Sequence, residues 1–397
     1  VADAVPETEI RGFDLRIADD TKLLASPDRA SRWEFHCQDG RIRATSVNEG
    51  DSDVPVRTIE VREPAVIQSE TGFLTFRNQP FRDVLKVYSV GSFCEVVNEV
   101  DFESYLKGIV NMEFNSKWSE EAIGAQVVAA RTYALYQMLV TREKKGSHFD
   151  VDSTERDQVY GGPGREDTRA SIAVDRTRGW VLTVGEPGHF LPVKAFYSST
   201  CGGMTELPQR VWGTAYNGFS HRVSCPFCTS SPKYRWSTKL STRQLVADVQ
   251  LGVRNDGPQI GWPSDWSQAI QTGHLVDVRT MNLGPIGRVA QVTLVWEVKG
   301  RIVKLALNGG KFRDWIGAAK LLSAAFTVHS FGFKTAGLGF SGASSASSDR
   351  LWAFDGRGNG HGVGMCQWGA KVMGERGYKT AAILNHYYPD AILRKMW

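Results

Sequence analysis

The sequence predicts an α+β protein, and three observations carry that reading. The stretch from about residue 10 to 100 is built of short alternating segments cut by turn residues; a long alanine-rich helical stretch follows near residue 119; and a hairpin and a helical segment come later. In the first stretch, IEVR after DVPVRT, LTF after ETG, VLKVYSV and FCEVVN read as strands and hairpins, with Gly91 and Ser92 between the last two. The texture changes at DFESYLKGIV, a short amphipathic segment. Ser119 then stands as an N-cap for a helix through EEAIGAQVVAARTYALYQMLVTREKK, ended by Gly146. Ala122, Ala125, Ala129 and Ala130 recur at helical spacing, and such small residues let neighbouring backbones approach, so this helix is expected at the centre. WVLTV and VKAFYSS read as strands, followed by a Gly- and Cys-containing loop region to about residue 236. In RVAQVTLVWEVKGRIVKLALNG, Val292, Leu294, Trp296 and Val298 share one strand face. Val303, Leu305 and Leu307 share another after the Lys299–Gly300 turn, which predicts a hairpin. Residues 311–323 look helical, and TAGLGFSGASSASSD reads as an exposed loop before a glycine-rich final segment.

Composition narrows the function classes. At 397 residues, with 42% hydrophobic and 23% charged side chains, the chain has enough apolar material for a large core and lacks the tracts that mark disorder. The net charge of +4 is spread along the chain rather than gathered into a stripe, which argues against nucleic-acid binding. No run approaches the roughly 18 apolar residues of a membrane helix. The start, VADAVPETEI, has neither the charged nor the apolar region of a signal peptide, so an exported chain is expected to have lost its signal.

Three segments exceed what packing requires. In ESYLKGIVNMEFNSKWSEEAIGAQVVAARTYAL, Glu113 falls between the amphipathic segment and the Ser119-capped helix, with Met112, Phe114 and Trp118 as neighbours. Apolar surroundings disfavour a carboxylate and raise its pKa, as a general acid needs; the same spacing also describes a solvated loop glutamate. In AFYSSTCGGMTELPQRVWG, paired glycines allow a tight backbone beside the hydroxyls of Tyr197, Ser198, Ser199 and Thr200, as a sugar site or a structural turn would need. GRGNGHGVGMCQWGAKVMGERG places six glycines between 356 and 369 around His361. It has no GK[ST] ending and no dinucleotide-binding unit, which excludes a nucleotide loop. His361 and Cys366 together invite a cysteine-nucleophile reading, but nothing local lowers the thiol pKa.

Together, YLKGIVNMEFNSKWSEEAIGAQVVAARTYAL, DQVYGG, FYSSTCGGMTE with VWG, GHGVGMCQWGA and AAILNHYYPD resemble the SpoIID/LytB family of peptidoglycan-modifying proteins, and they occur in the family's order. The match is strongest from about 96 to 236 and from 351 onward. The resemblance implies a SpoIID-like fold with a substrate cleft: a β-rich part over 1–95, a catalytic core over 96–236, an inserted α/β lobe over 237–350, and a segment over 351–397 that completes the core. It also implies an exported (periplasmic, cell-surface or secreted) lytic transglycosylase acting on peptidoglycan glycan strands, often denuded ones, with no cofactor required for catalysis. Glu113 then takes the place of the family's catalytic acid, and Arg131 in AARTYA that of an active-site residue or a structural ion pair. Tyr197, His361 and Tyr388 carry over as substrate-binding residues. Tyr160, Trp212 and Tyr388 are candidates for stacking on sugar rings, and each could equally belong to a core. A muramidase would need a second carboxylate, for which Glu206 and Asp355 are candidates. A noncatalytic wall-binding modifier of an amidase is the other reading the LytB name suggests.

The cysteines stand at 37, 94, 201, 225, 228 and 366. Cys225 and Cys228 have the C-x2-C spacing of a zinc half-site, and the resemblance brings Cys201 and Cys366 toward one place, so four thiolates could hold a structural zinc, with His221 able to replace one. Export instead predicts disulfides, pairing Cys37 with Cys94 and the other four among themselves. Some family members bind zinc through Cys and His just before QVY; here SHFDVDSTERDQVY has His148 and no cysteine, and no HExxH motif supports a metal-activated water.

Overall fold

A computed structural model describes residues 7–19, 21–25, 32–47, 55–143, 146–186, 188–256, 266–331 and 350–397. Loop residues 335–349, expected to be exposed, lie outside them. Helices and strands are mixed and the first part is β-rich, as expected of an α+β chain. Contacts divide the chain into two units, Val1–Lys194 with Leu393–Trp397, and Ala195–Ile392.

Among its described residues the first unit begins with eleven strands: β1 (Glu7–Arg11), β2 (Leu15–Ala18), β3 (Leu23–Ala25), β4 (Arg32–Gln38), β5 (Arg41–Ser46), β6 (Thr58–Arg62), β7 (Ala65–Ser69), β8 (Leu74–Phe76), β9 (Gln79–Phe81), β10 (Val84–Val90) and β11 (Phe93–Glu99). They form two sheets, ordered β6-β5-β4-β1-β8-β9 and β11-β10-β7-β2-β3. Alternation decides which residues face inward: Trp33, Phe35 and Cys37 of β4, and Leu85 and Val87 of β10, enter one shared core. A disulfide joins Cys37 of the first sheet to Cys94 of the second, with Cα atoms 5.2 Å apart. That pairing is the one expected of an exported chain.

Three helices follow: α1 (Phe102–Glu113), α2 (Glu120–Glu143) and α3 (Thr168–Arg176). The Asp101 side chain caps α1 by accepting from the Ser104 amide at 2.9 Å, and Ser119 Oγ accepts from the Ala122 amide at 3.3 Å at the start of α2. Every residue of α2 from Ala122 to Ala134 is buried, so the alanine-rich stretch is enclosed on all sides. Strands β12 (Trp180–Val184) and β13 (Leu191–Pro192) sit in a small sheet with the last strand of the chain, Ile392–Lys395.

In the second unit a two-residue strand β14 (Tyr197–Ser198) is followed by short helix α4 (Pro208–Trp212), β15 (Arg235–Ser241), α5 (Thr242–Asp256), α6 (Trp266–Thr272), β16 (His274–Leu283), β17 (Arg288–Val298), β18 (Arg301–Asn308), α7 (Gly309–Ile316), β19 (Phe326–Phe331), β20 (Leu351–Arg357), β21 (Met365–Cys366), α8 (Gln367–Glu375) and α9 (Thr380–Tyr387). The expected hairpin is β17–β18, with Val298 opposite Arg301 and Lys299 and Gly300 both at positive φ. Trp266, Trp296, Phe312, Trp352 and Phe354 anchor its core. Two expectations shift. The helix predicted over 311–323 stops at Ile316, because Gly317 takes a φ of 98° that ends it. The predicted strand VKAFYSS shortens: of its residues only Tyr197–Ser198 form a strand, in parallel with Met365–Cys366 of β21, while Leu191–Pro192 just before it pairs with β12.

Candidate functional site

Glu113 is the last residue of α1 rather than part of the loop beyond it. The helix closes there because the Phe114 amide bonds Val110 O while Phe114 itself turns extended, and the Phe114 ring is buried edge-on to Trp118 at 4.6 Å. The Glu113 side chain is half-buried. Burial pushes its carboxyl above the usual glutamate range; the Val159 amide partly offsets this and the charge of exposed Glu155 adds to it.

The Val159 amide reaches Glu113 Oε1 at 2.9 Å, and its position is set by residues on either side. Asp157 Oδ1 accepts from Tyr133 Oη at 2.8 Å and from Gln137 Nε2 at 2.6 Å, both donors on α2, while its Oδ2 accepts the Asp152 amide at 3.0 Å. Gln158 accepts from Tyr105 Oη of α1 at 3.0 Å and donates to Ala130 O of α2 at 3.2 Å. The Gly161 amide donates to Gly108 O at 3.0 Å. The DQVYGG segment is thus a rigid strap that holds one backbone donor against the carboxyl. The sequence alone points to Glu113 and Tyr160 and gives no role to Asp157, Gln158 or Glu155; for Asp157 and Gln158 the DQVYGG motif is the signal.

Tyr160 lies in packing: its ring stacks on Tyr105 at 5.6 Å and approaches Phe81 at 6.1 Å. A Cβ at position 108 would come within 2.5 Å of that ring, so α1 needs glycine there. Arg131 is fully buried. It forms a bidentate pair with Glu103 of α1 (Nη2–Oε2 2.8 Å, Nε–Oε1 3.2 Å) and donates to Thr177 Oγ1, Trp180 O and Val174 O at 3.2–3.3 Å. Those five bonds use all five guanidinium donors. Arg131 therefore clamps α2, α1 and the end of α3 together, and it is Glu103 rather than Glu113 that it holds.

In the second unit, Gly358, Gly360, Gly362 and Gly364 all take positive φ, which bends the chain around His361. His361 Nδ1 accepts from the Val363 amide at 3.0 Å, and the ring lies 5.0 Å from Trp212 and 6.1 Å from Phe196. Burial, then the positive charge of Arg288, lower the imidazole to about 4, so it is neutral at physiological pH. Trp212 stacks on Phe196 at 4.6 Å and keeps 44% of its surface exposed. A cleft of about 620 Å³ lies here, lined by Glu206, Arg210, Trp212, Arg288, Lys311 and His361 among others, all of the second unit. Tyr197 sits in β14 beside this loop. Tyr388 is fully buried, donating to Phe196 O at 2.6 Å and accepting the Met365 amide at 3.3 Å, so it ties the two strands instead of facing a ligand. Glu206 is held by Arg222 at 2.7 Å, and Asp355 is exposed on β20.

Cys201, Cys225, Cys228 and Cys366 are buried, with their sulfurs within 4.8 Å of one another. His221 is not among them: it is exposed and pairs with Asp390 at 3.3 Å. His148 stacks on Tyr88 at 4.0 Å and bonds Glu95 at 2.6 Å.

Residues 91–184, which contain Glu113 and its strap, match the family model described as SpoIID, stage II sporulation protein. The chain is 30% identical over 325 residues to the stage II sporulation protein D of Bacillus subtilis (strain 168), covering 75% of this chain and 78% of that protein. It is 28% identical over 327 residues to an uncharacterized protein of Brachyspira hyodysenteriae, covering 82% and 75%. It is also 28% identical over 316 residues to the amidase enhancer of Bacillus subtilis (strain 168), spanning 72% of this chain but 40% of that longer protein.

Proposed function

The chain belongs to the stage II sporulation protein D family, and we propose that it cleaves peptidoglycan glycan strands as a lytic transglycosylase, with Glu113 as acid and then base. The observation that carries this reading is the half-buried Glu113 carboxyl, biased toward its neutral form yet held at one oxygen by the Val159 amide. The carboxyl proton passes to the glycosidic oxygen between muramic acid and glucosamine as an oxocarbenium-like transition state forms. The resulting carboxylate takes the proton of the muramic acid 6-hydroxyl, which attacks its own C1 and closes a 1,6-anhydro ring. One carboxyl suffices, because the nucleophile is already part of the bound sugar. Arg131 acts as a positioning residue: by clamping Glu103 it fixes α1, the helix that ends in Glu113. Trp212 offers an exposed aromatic face for a sugar ring. The Cys37–Cys94 disulfide supports an exported chain.

Two further readings each have an observation. Glu155, whose charge reaches Glu113, is the candidate second carboxylate of a muramidase. The amidase-enhancer relative favours a wall-binding role toward an amidase. The test is Glu113→Gln: it should fold, bind denuded glycan and lose cleavage by about 10²–10⁴-fold. Full cleavage by that variant removes Glu113 from the chemistry.

A further inference from the structure

We infer that Cys201, Cys225, Cys228 and Cys366 bind one structural zinc ion. The geometry is that of a tetrahedral tetrathiolate. All four sulfurs lie within 4.8 Å of one another, and Cys201 and Cys228 are 3.7 Å apart. Four sulfurs at about 2.3 Å from a central zinc are about 3.8 Å from each other, whereas a disulfide brings one pair to about 2 Å. Cys37 and Cys94 are bonded; these four remain a quartet.

The chain supplies the ligands from three places: Cys201 in the loop after β14, Cys225 and Cys228 in one tight CPFC turn, and Cys366 at the end of β21. Their surroundings supply donors to the sulfurs. Cys366 Sγ accepts the Cys201 amide at 3.3 Å. Tyr387 Oη lies 3.2 Å from Cys225 Sγ, as an outer donor to a metal-bound sulfur should. A Cβ on Gly369 would come within 2.7 Å of Cys225 Sγ and 1.9 Å of Tyr387 Oη, so glycine is what lets α8 lie against the quartet. Four buried thiolates without a cation would be strongly unfavourable. A zinc ion offsets two of the four charges, and the buried Arg288 guanidinium, bonded to Cys201 O at 3.0 Å, offsets part of the rest.

All four ligands are fully buried, so the site is closed and structural rather than catalytic. Its work is to join the three segments that flank the β14–β21 pair and so set the glycine loop carrying His361. This assignment does not rest on the glycan-cleaving reading, because its readout is metal content.

The experiment is elemental analysis and thiol counting on the full chain purified without chelator. The expected result is one zinc per chain, with four thiols that react only after a strong chelator removes the metal. Zinc absent together with no titratable thiols means two disulfides and overturns the assignment; so does zinc absent with four thiols reactive in the native protein, or iron in its place. Cys228→Ser removes a buried ligand and with it part of the fold's support, so two further measurements keep all four ligands. Cobalt exchanged into the native chain should show intense thiolate-to-metal charge transfer with a tetrahedral visible spectrum, and its absence counts against the site. The Cys37→Ser/Cys94→Ser double variant should still carry one zinc per chain, and loss of the metal there places the ligands elsewhere.

Discussion

The two units bury ionisable groups to opposite ends. In the first, Glu113 ends a helix, half-open to solvent, with one backbone donor on an oxygen and burial favouring its neutral form. In the second, four cysteines converge in a closed pocket, with the Cys201 amide on Cys366 Sγ and Tyr387 Oη beside Cys225 Sγ. The contrast recurs inside the first unit, where fully buried Arg131 has an acceptor for each of its donors. A group that must exchange a proton stays partly open, while a group that only holds the fold is enclosed and matched.

Arg131→Ala should break the structural side of this comparison most severely. It leaves Glu103 buried without its cation and should cost about 3–5 kcal/mol in denaturant unfolding. If stability is unchanged and only kcat falls, Arg131 belongs to the chemistry instead. Asp157→Ala removes the acceptor of Tyr133, Gln137 and the Asp152 amide and should loosen the Val159 donor. Since a misplacement of about 1 Å can cost ~10²-fold, kcat should fall by about 10–100-fold with KM little changed. Equal loss in kcat and thermal stability, rescued by no lower temperature, would make it a fold residue only.

Three smaller effects concern pH and binding. Activity should decline as pH rises through the elevated pKa of Glu113. The same elevation means the unfolded chain loses this proton first, so Glu113 weakens the native state as pH rises past the ordinary glutamate value. Glu113→Gln should therefore be at least as stable as the parent at neutral pH. His361 has the opposite window: with its native pKa lowered to about 4, the unfolded chain binds the proton first, and stability should drain away as pH falls from 6.5 toward 4. Thermal melts of His361→Asn that keep the full loss in that window would reassign it. Smallest is Trp212→Ala, which should raise KM for glycan a few-fold, in line with about 0.5–1.5 kcal/mol for an aromatic contact.

Much of the fold was legible because its signals are local. Ser119 and the alanine spacing specify α2, and Lys299–Gly300 with its flanking alternation specifies the β17–β18 hairpin. Gly317 is a local stop that ends α7 where apolar spacing alone would continue it. What sequence could not convey was set by distant partners. Tyr160 and Tyr388 look like ligand aromatics in a string of letters, yet one is stacked against Tyr105 and the other bridges Phe196 and Met365. Glu113 needed both kinds of information. The motif marked the residue, but the donor on its carboxyl comes from a strap 46 positions away, whose anchor, Asp157, shows its task only once Tyr133 and Gln137 are seen to bond it.

Intramolecular attack of a sugar hydroxyl, driven by the one carboxyl of Glu113, is the cleavage chemistry proposed for this chain. Mass analysis of the products from intact, denuded and de-N-acetylated glycan strands decides it. 1,6-Anhydromuramic ends should form with the native chain and be missing with Glu113→Gln; exclusively reducing ends, or no cleavage of any of the three substrates, would rule this chemistry out.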